Sequence, residues 1–138
     1  MRVSQRLDYA LRALVLLAEQ PERAWVAAGD LADRLNMPRR FVEQQITVLS
    51  RAGVVACRRG ASGGCALSRP AEEITVREVV LALHGEVLDI PHQQGSATAE
   101  LWRQVSVSLA DILGEVTLAD LAVRQRELDA EAAPMYYI

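Results

Sequence analysis

Residues 35–69 read "LNMPRRFVEQQITVLSRAGVVACRRGASGGCALSR", and this stretch decides the fold. Asn36 suits a left-handed turn position, which Asn tolerates better than most residues. Pro38 opens a helix, where its missing N–H costs nothing. From Arg39 to Ala52, Phe41, Val42, Ile46 (or Gln45 beside it) and Leu49 are the residues expected to be buried, and Gly53 closes the helix as a C-terminal cap. The pattern then changes to alternation. "VVACRR" and "GCALSR" flank "GASG", which is the composition of a β-hairpin.

Just upstream, "GDLADRLN" at residues 29–36 predicts a short helix with Leu31, Ala32 and Leu35 facing inward. A short helix, a three-residue turn, a second helix and then a hairpin make a winged helix-turn-helix. Residues 4–20 form a preceding helix that Ser4 can cap, with Leu7, Ala10, Leu11, Leu14, Leu17 and Ala18 on one stripe. Pro21 ends it. "ERAWVAAG" is a connection in which Trp25 and Val26 supply core contacts.

Past the hairpin, "ITVREVVLALHGE" starts a helix with Thr75 and Glu78 in capping-box spacing. "EVLDIPHQQGSAT", residues 86–98, reads as a loop. Ala99 to Gly114 is strongly amphipathic, with Leu101, Trp102, Val105, Leu109, Ile112 and Leu113 as its apolar side. Thr117 and Asp120 repeat the capping logic for a last helix to Asp129. The expected fold is therefore mainly α with a small β-hairpin wing and a long additional helix. Its parts divide as 1–84 for the winged helix-turn-helix, 85–98 for the loop, 99–130 for the long helices and 131–138 for a loosely ordered tail.

Charge is unevenly spread. Residues 1–77 hold twelve Arg against eight acids, a balance of +4, and residues 78–138 hold three Arg against ten acids, a balance of −7. A basic front and an acidic back suggest two jobs. Every basic residue is Arg, whose planar fork suits phosphates and guanine edges. Genomic base composition produces the same preference. No apolar run approaches the roughly 20 residues of a membrane span, and the N-terminus shows no secretory pattern. With two cysteines there is no disulfide scaffold, so the expected location is cytoplasmic.

A helix entering the major groove needs exposed polar side chains between its apolar positions. The second helix offers Arg39, Arg40, Glu43, Gln44 and Thr47. Arginine can fork onto guanine or phosphate, Gln44 onto adenine, and Glu43 can accept from a cytosine amine. Charged residues on any solvated helix look the same, and the hairpin tips the balance. Arg58 and Arg59 lead into a glycine-rich tip, carrying Ser62, that can approach a duplex closely, and Arg is favoured in a narrow minor groove.

Four segments, "MRVSQRLDYALRAL", "LNMPRRFVEQQITVLSRAGVV", "RRGASGGCALSRPAEEITVREVVLALHG" and "ELWRQVSVSLADILGEVTLADL", together resemble the Rrf-two family of bacterial transcription regulators. The resemblance reaches to about residue 129, and the R-G-x-x-G-G wing followed by L-x-R-P-x-x-x-I-T is its most specific part. It implies a homodimer packed through the helix at 99–114, with two winged helices reading the half-sites of a near-palindrome in double-stranded DNA. It also implies that Arg59 enters the minor groove and that Arg40, Glu43 and Gln44 face the major groove. The function to expect is a DNA-binding regulator, most simply a repressor, and no enzyme, since no Ser–His–Asp, Cys–His or paired-carboxylate constellation is present.

The family's best-known members hold an iron–sulfur cluster on three cysteines of the loop before the dimer helix. Here that loop has none. Cluster iron takes thiolates, usually four ligands in total. Asp8 matches a position some relatives use for an extra ligand, and His92 lies in the loop. Together they make an atypical metal or cluster sensor a minor alternative, and no cofactor is expected. Asp8 also reads as a surface carboxylate, and His84 as a partner of its helix dipole. The effector is open: a small molecule, a thiol oxidant or none.

Cys57 and Cys65 lie on the outgoing and returning wing strands. They lack the second pair a structural zinc needs. If 57 pairs with 65, a cross-strand disulfide is conceivable, and Arg58 and Arg59 are expected to lower the thiol pKa. Cysteine is equally an ordinary small hydrophobe. A winged-helix module docking a protein partner through the acidic helices is the remaining alternative, and duplex binding that weakens steeply with salt separates the two.

Overall fold

The computed structural model describes residues 2–21, 24–91 and 94–133. Helix α1 spans Gln5–Glu19, and the Ser4 hydroxyl accepts from the Leu7 N–H to cap it. α2 (Ala28–Leu35) stops at Asn36, which takes the left-handed conformation at φ 53° and lets its N–H close on the last carbonyls. α3 (Arg39–Arg51) starts one residue after Pro38, which occupies the capping position just outside it. Gly53, at φ 78°, turns the chain out of α3.

The wing is an antiparallel pair, β1 (Val55–Arg58) and β2 (Gly64–Leu67), in the register Val55↔Leu67, Ala56↔Ala66, Cys57↔Cys65 and Arg58↔Gly64. Its other edge is also occupied. Val26 donates to the Cys65 carbonyl at 2.9 Å and accepts from the Cys65 N–H at 2.7 Å. The connection after α1 therefore acts as a one-residue third strand, in addition to the core contact expected of Val26.

A 3-10 turn at Ala71–Glu73 leads into α4 (Val76–His84), capped by the Thr75 hydroxyl and ended by Gly85 in the left-handed region. Half of the expected capping box is used, because the Glu78 carboxylate bonds Arg69. α5 spans Ala97–Glu115, starting two residues earlier than its sequence periodicity because Ser96 caps it from within the loop. α6 (Leu118–Ala132) carries a full capping box between Thr117 and Asp120.

Leu14, Leu31, Leu49, Val54, Val55, Ile74, Val79 and Leu118 are the fully buried large side chains. Seven come from the stretch between α1 and α4, both included, and Leu118 brings α6 into the same core, where α6 packs along α1. Phe41 is half-buried, with its ring edge-on to Tyr9 at 5.8 Å between centroids. α5 stands apart: Ala99 is its one buried residue. Its C-terminal end is held by the Val76 N–H on the Val116 carbonyl, the Leu118 N–H on the Ile74 carbonyl, and the Arg77 guanidinium, which covers Gly114. No described helix is long and apolar enough to cross a membrane.

Candidate nucleic-acid interface

α3 has two faces, set by residues that sit side by side in the sequence. Val42, Gln45, Ile46 and Leu49 are buried, and Arg39, Arg40, Glu43, Gln44 and Thr47 are exposed. Gln45 is a buried polar residue, and its side-chain oxygen accepts from Arg6 Nε at 2.9 Å, which ties α3 to α1. A buried amide left without that partner costs free energy, so the bond fixes how α3 is presented.

On the exposed face, Arg39 Nε meets the Glu43 carboxylate at 3.0 Å. Thr47 donates its hydroxyl to the Glu43 carbonyl at 2.9 Å. The Arg39–Glu43 pair is solvent-exposed and contributes at most about 1 kcal/mol, so a phosphate can displace the carboxylate. Arg40 has no ion-pair partner among the described residues, and Gln44 lies beside it. The face thus offers two arginines and one amide, and its single carboxylate is already engaged.

In the wing, Arg58 turns back onto the body. Its guanidinium lies 5.0 Å from the centroid of the Trp25 ring and donates to the Ser62 carbonyl at 2.9 Å. That bond bridges the base of the tip, so Arg58 shapes the loop that Arg59 projects from. Arg59 is exposed and has no ion-pair partner among the described residues. Trp25 was expected only as a core contact. Its half-buried ring also backs the Arg58 guanidinium, a contact that the sequence signals weakly, as an aromatic in a stretch that pairs with β2.

Two glycines make this tip possible. A Cβ on Gly63 would sit 2.1 Å from the Arg58 carbonyl oxygen. A Cβ on Gly64, where φ is +144°, would sit 2.6 Å from the Val26 backbone. The first closes the hairpin and the second lets Val26 pair with β2.

The cysteine sulfurs lie 3.6 Å apart, with Cys57 exposed and Cys65 buried. The ionisation of Cys65, across the strands from the arginines, is set by burial instead. Burial pushes its thiol up to about 12, and the adjacent Cys57 thiol adds to the rise. The Cys65 side chain is packed in the core.

α5 exposes the apolar side chains singled out in the sequence. Leu101 is 49% exposed, Trp102 39% and Ile112 59%, while Val105, Leu109 and Leu113 are half-buried. Val105, Leu109 and Ile112 line a shallow groove with Gln104 and Ser108. Val107, at 62% exposed, was not singled out.

Asp8 pairs with Arg12 at 3.0 Å. Its proposed companion His92 lies outside the described residues. Among the described residues no three His, Cys, Asp or Glu side chains gather as a metal would need. His84 shares a hydrogen bond with the Ser4 hydroxyl at 3.1 Å, a link between α4 and the start of α1 that sequence spacing does not show.

Residues 3–124 match the family described as Rrf2, iron-dependent transcriptional regulator. The chain is 32% identical over 138 residues to the HTH-type transcriptional regulator IscR of Cronobacter sakazakii, covering 94% of this chain and 85% of that one. Its fold is similar to that of the T. potens IscR, with a TM-score of 0.79, 31% identity, and coverage of 99% of this chain and 95% of that one. It is also similar to CymR (YrzC), the global cysteine regulator of B. subtilis, with a TM-score of 0.79, 26% identity, and coverage of 90% and 98%. The α3 row of arginine and amide is exposed, and the wing carries Arg59 at its glycine-rich tip. The chain belongs to the Rrf2 family, and it is a DNA-binding transcriptional regulator of the winged-helix kind.

Proposed function

We propose that this chain is a homodimeric, sequence-specific repressor that works without an iron–sulfur cluster. The observation that carries the dimer is α5, a 19-residue helix, about 28 Å long, with one buried residue and a row of uncovered Leu, Trp and Ile. Each large apolar side chain moved from water into a packed contact contributes about 1.5–3 kcal/mol. A second copy offers the same face, and the isologous contact of a twofold dimer covers both at once.

Pairing along α5 presents two α3 helices and two wings to one duplex. Arg40 and Gln44 would then read base edges in the major groove, Arg39 would exchange Glu43 for a phosphate, and Arg59 would enter the minor groove. Ser62, at the same tip, is placed to contact the backbone. Bound over a promoter, such a dimer blocks transcription by occupancy.

The residues do not fit an iron–sulfur cluster. Cluster iron is held by thiolates, and both cysteines of this chain stand on the wing strands, with none between Glu86 and Gly95. Asp8 is engaged with Arg12. No ligand set for iron is assembled by these side chains, so any effector of this chain acts through other chemistry.

Selection from random-sequence duplexes, followed by sedimentation of the complex, tests this reading. The expected result is a near-palindromic site bound by two chains, and a reporter carrying that site is silenced when the chain is present. Leu109→Asp, placed in the apolar face, should give monomers that bind the site at least about tenfold more weakly. A wild-type monomer bound to a single half-site would refute the proposal.

A further inference from the structure

The wing brings together the two cysteines, which take no part in the duplex contacts above. Cys57 stands opposite Cys65 in the strand register. Both backbone polar groups of Cys65 are committed to Val26 on the far side. The 57–65 pair therefore exchanges no hydrogen bonds of its own, which makes it the closer of the two antiparallel pairings, with Cα atoms about 4.5 Å apart. A disulfide accepts Cα separations of about 4.4–6.8 Å. Directly opposed side chains share a face, and these sulfurs are already 3.6 Å apart. A bond between them closes by side-chain rotation without remaking the strands.

We propose that Cys57 and Cys65 are a reversible dithiol–disulfide site that, on oxidation by a peroxide, weakens the wing's hold on DNA. The exposed Cys57, as thiolate, attacks one oxygen of the hydroperoxide. The O–O bond breaks, Cys57 becomes a sulfenic acid, and the departing hydroxide takes up a proton to leave as water. The Cys65 sulfur then attacks the Cys57 sulfur and the S–O bond breaks. The second water leaves with the proton of the Cys65 thiol. Two thiols lose two electrons in total, and hydrogen peroxide is reduced to two waters.

The asymmetry of the pair gives the order of events. Solvent reaches Cys57, and burial keeps Cys65 protonated and away from the oxidant until Cys57 has reacted. The consequence follows from the chain itself. Cys57 directly precedes Arg58 and Arg59, so a covalent link at this position pins β1 to β2 beside the Arg58 clasp on Trp25 and Ser62 and removes the freedom of the strands to twist as Arg59 seats in a groove. This effect on binding rests on the proposed placement of Arg59 in the duplex.

The test uses the full chain, reduced and then treated with stoichiometric hydrogen peroxide, and the duplex recovered by selection on the reduced protein. Intact mass should fall by two hydrogen atoms, both thiols should become unreactive, and duplex affinity should drop about tenfold. Dithiothreitol should reverse all three, and Cys57→Ser should show none of them. Thiols that remain free, or a disulfide that leaves affinity within about twofold, would overturn the switch. Arg59→Ala, measured beside them in the reduced state, separates the two ideas. If it binds like wild type, the placement of the wing has failed and the switch falls with it, while the mass and thiol readouts still report whether the bond forms.

Discussion

The Arg58 guanidinium and the Trp25 ring, 33 positions apart in sequence, lie 5.0 Å apart and join the wing to the connection after α1. A cation over an aromatic face is worth about 0.5–1 kcal/mol at an exposed site, and truncating the ring also removes its packing. Trp25→Ala should therefore lower stability by about 1–3 kcal/mol in a denaturant melt. It should also weaken duplex binding, because Arg58 loses the surface it rests on. Trp25→Phe should recover most of the stability and part of the affinity.

Arg59 projects from the tip with no ion-pair partner among the described residues, so its charge is available to the nucleic acid. Each phosphate neutralised contributes close to one unit to the slope of log affinity against log salt. For a dimer, Arg59→Ala should make that slope shallower by about 2 and reduce affinity at moderate salt. Fluorescence anisotropy over a salt series measures both.

Gly63 has no room for a side chain. Placing a Cβ at 2.1 Å from the Arg58 carbonyl forces the hairpin open. Gly63→Ala should cost about 1–3 kcal/mol and abolish tight duplex binding, while far-ultraviolet circular dichroism keeps its helical signal. Normal affinity in this variant would contradict the closed wing.

Gln45 is held by Arg6 across the α1–α3 contact. Arg6→Ala leaves the buried amide oxygen without its donor and should cost about 1–3 kcal/mol. Gln45→Met in the same background removes the stranded group and should return part of that loss. The double-mutant cycle, read by thermal or chemical denaturation, isolates the pair.

Cys65 gives the fold an alkaline limit. Its thiol ionises near 9.0 when unfolded and near 12 when folded. Between those values the unfolded chain binds fewer protons than the native one, so stability falls as pH rises from 9 toward 12 and is unaffected below that window. Cys65→Ala should remove this part of the slope, visible as a smaller loss of denaturation midpoint between pH 9 and pH 11 than in wild type.

What the sequence made legible was local. Asn36, Gly53, Thr75 and the Thr117–Asp120 pair each act within four residues, and each marks its boundary where the structure has it. The hairpin itself was legible, and the pairing of 57 with 65, conditional in the sequence, is the register the strands adopt. Contacts between distant segments were not legible. Val26 pairing with Cys65 and Arg58 stacking on Trp25 depend on where α1 delivers the connection, and no periodicity encodes that. The burial that raises the Cys65 thiol is likewise invisible in sequence, where only the neighbouring arginines show. Ser96 was available as a cap, but loop-like neighbours disguised the start of α5.

The way α5 is fastened has a mechanical consequence. Its hydrogen bonds to other elements, among the described residues, lie at one end, where Arg77 covers Gly114 and donates to the Ala110 carbonyl, while toward the other end only Ala99 is buried. The rest of the helix, back to Ala97, reaches about 25 Å from that fulcrum. A tilt of about 5° there sweeps the far end through about 2 Å. The loop that enters at Ser96 thus stands at the far end of a stiff rod whose other end is fastened to α4, so a displacement of that loop is geometrically amplified relative to one made beside Gly114.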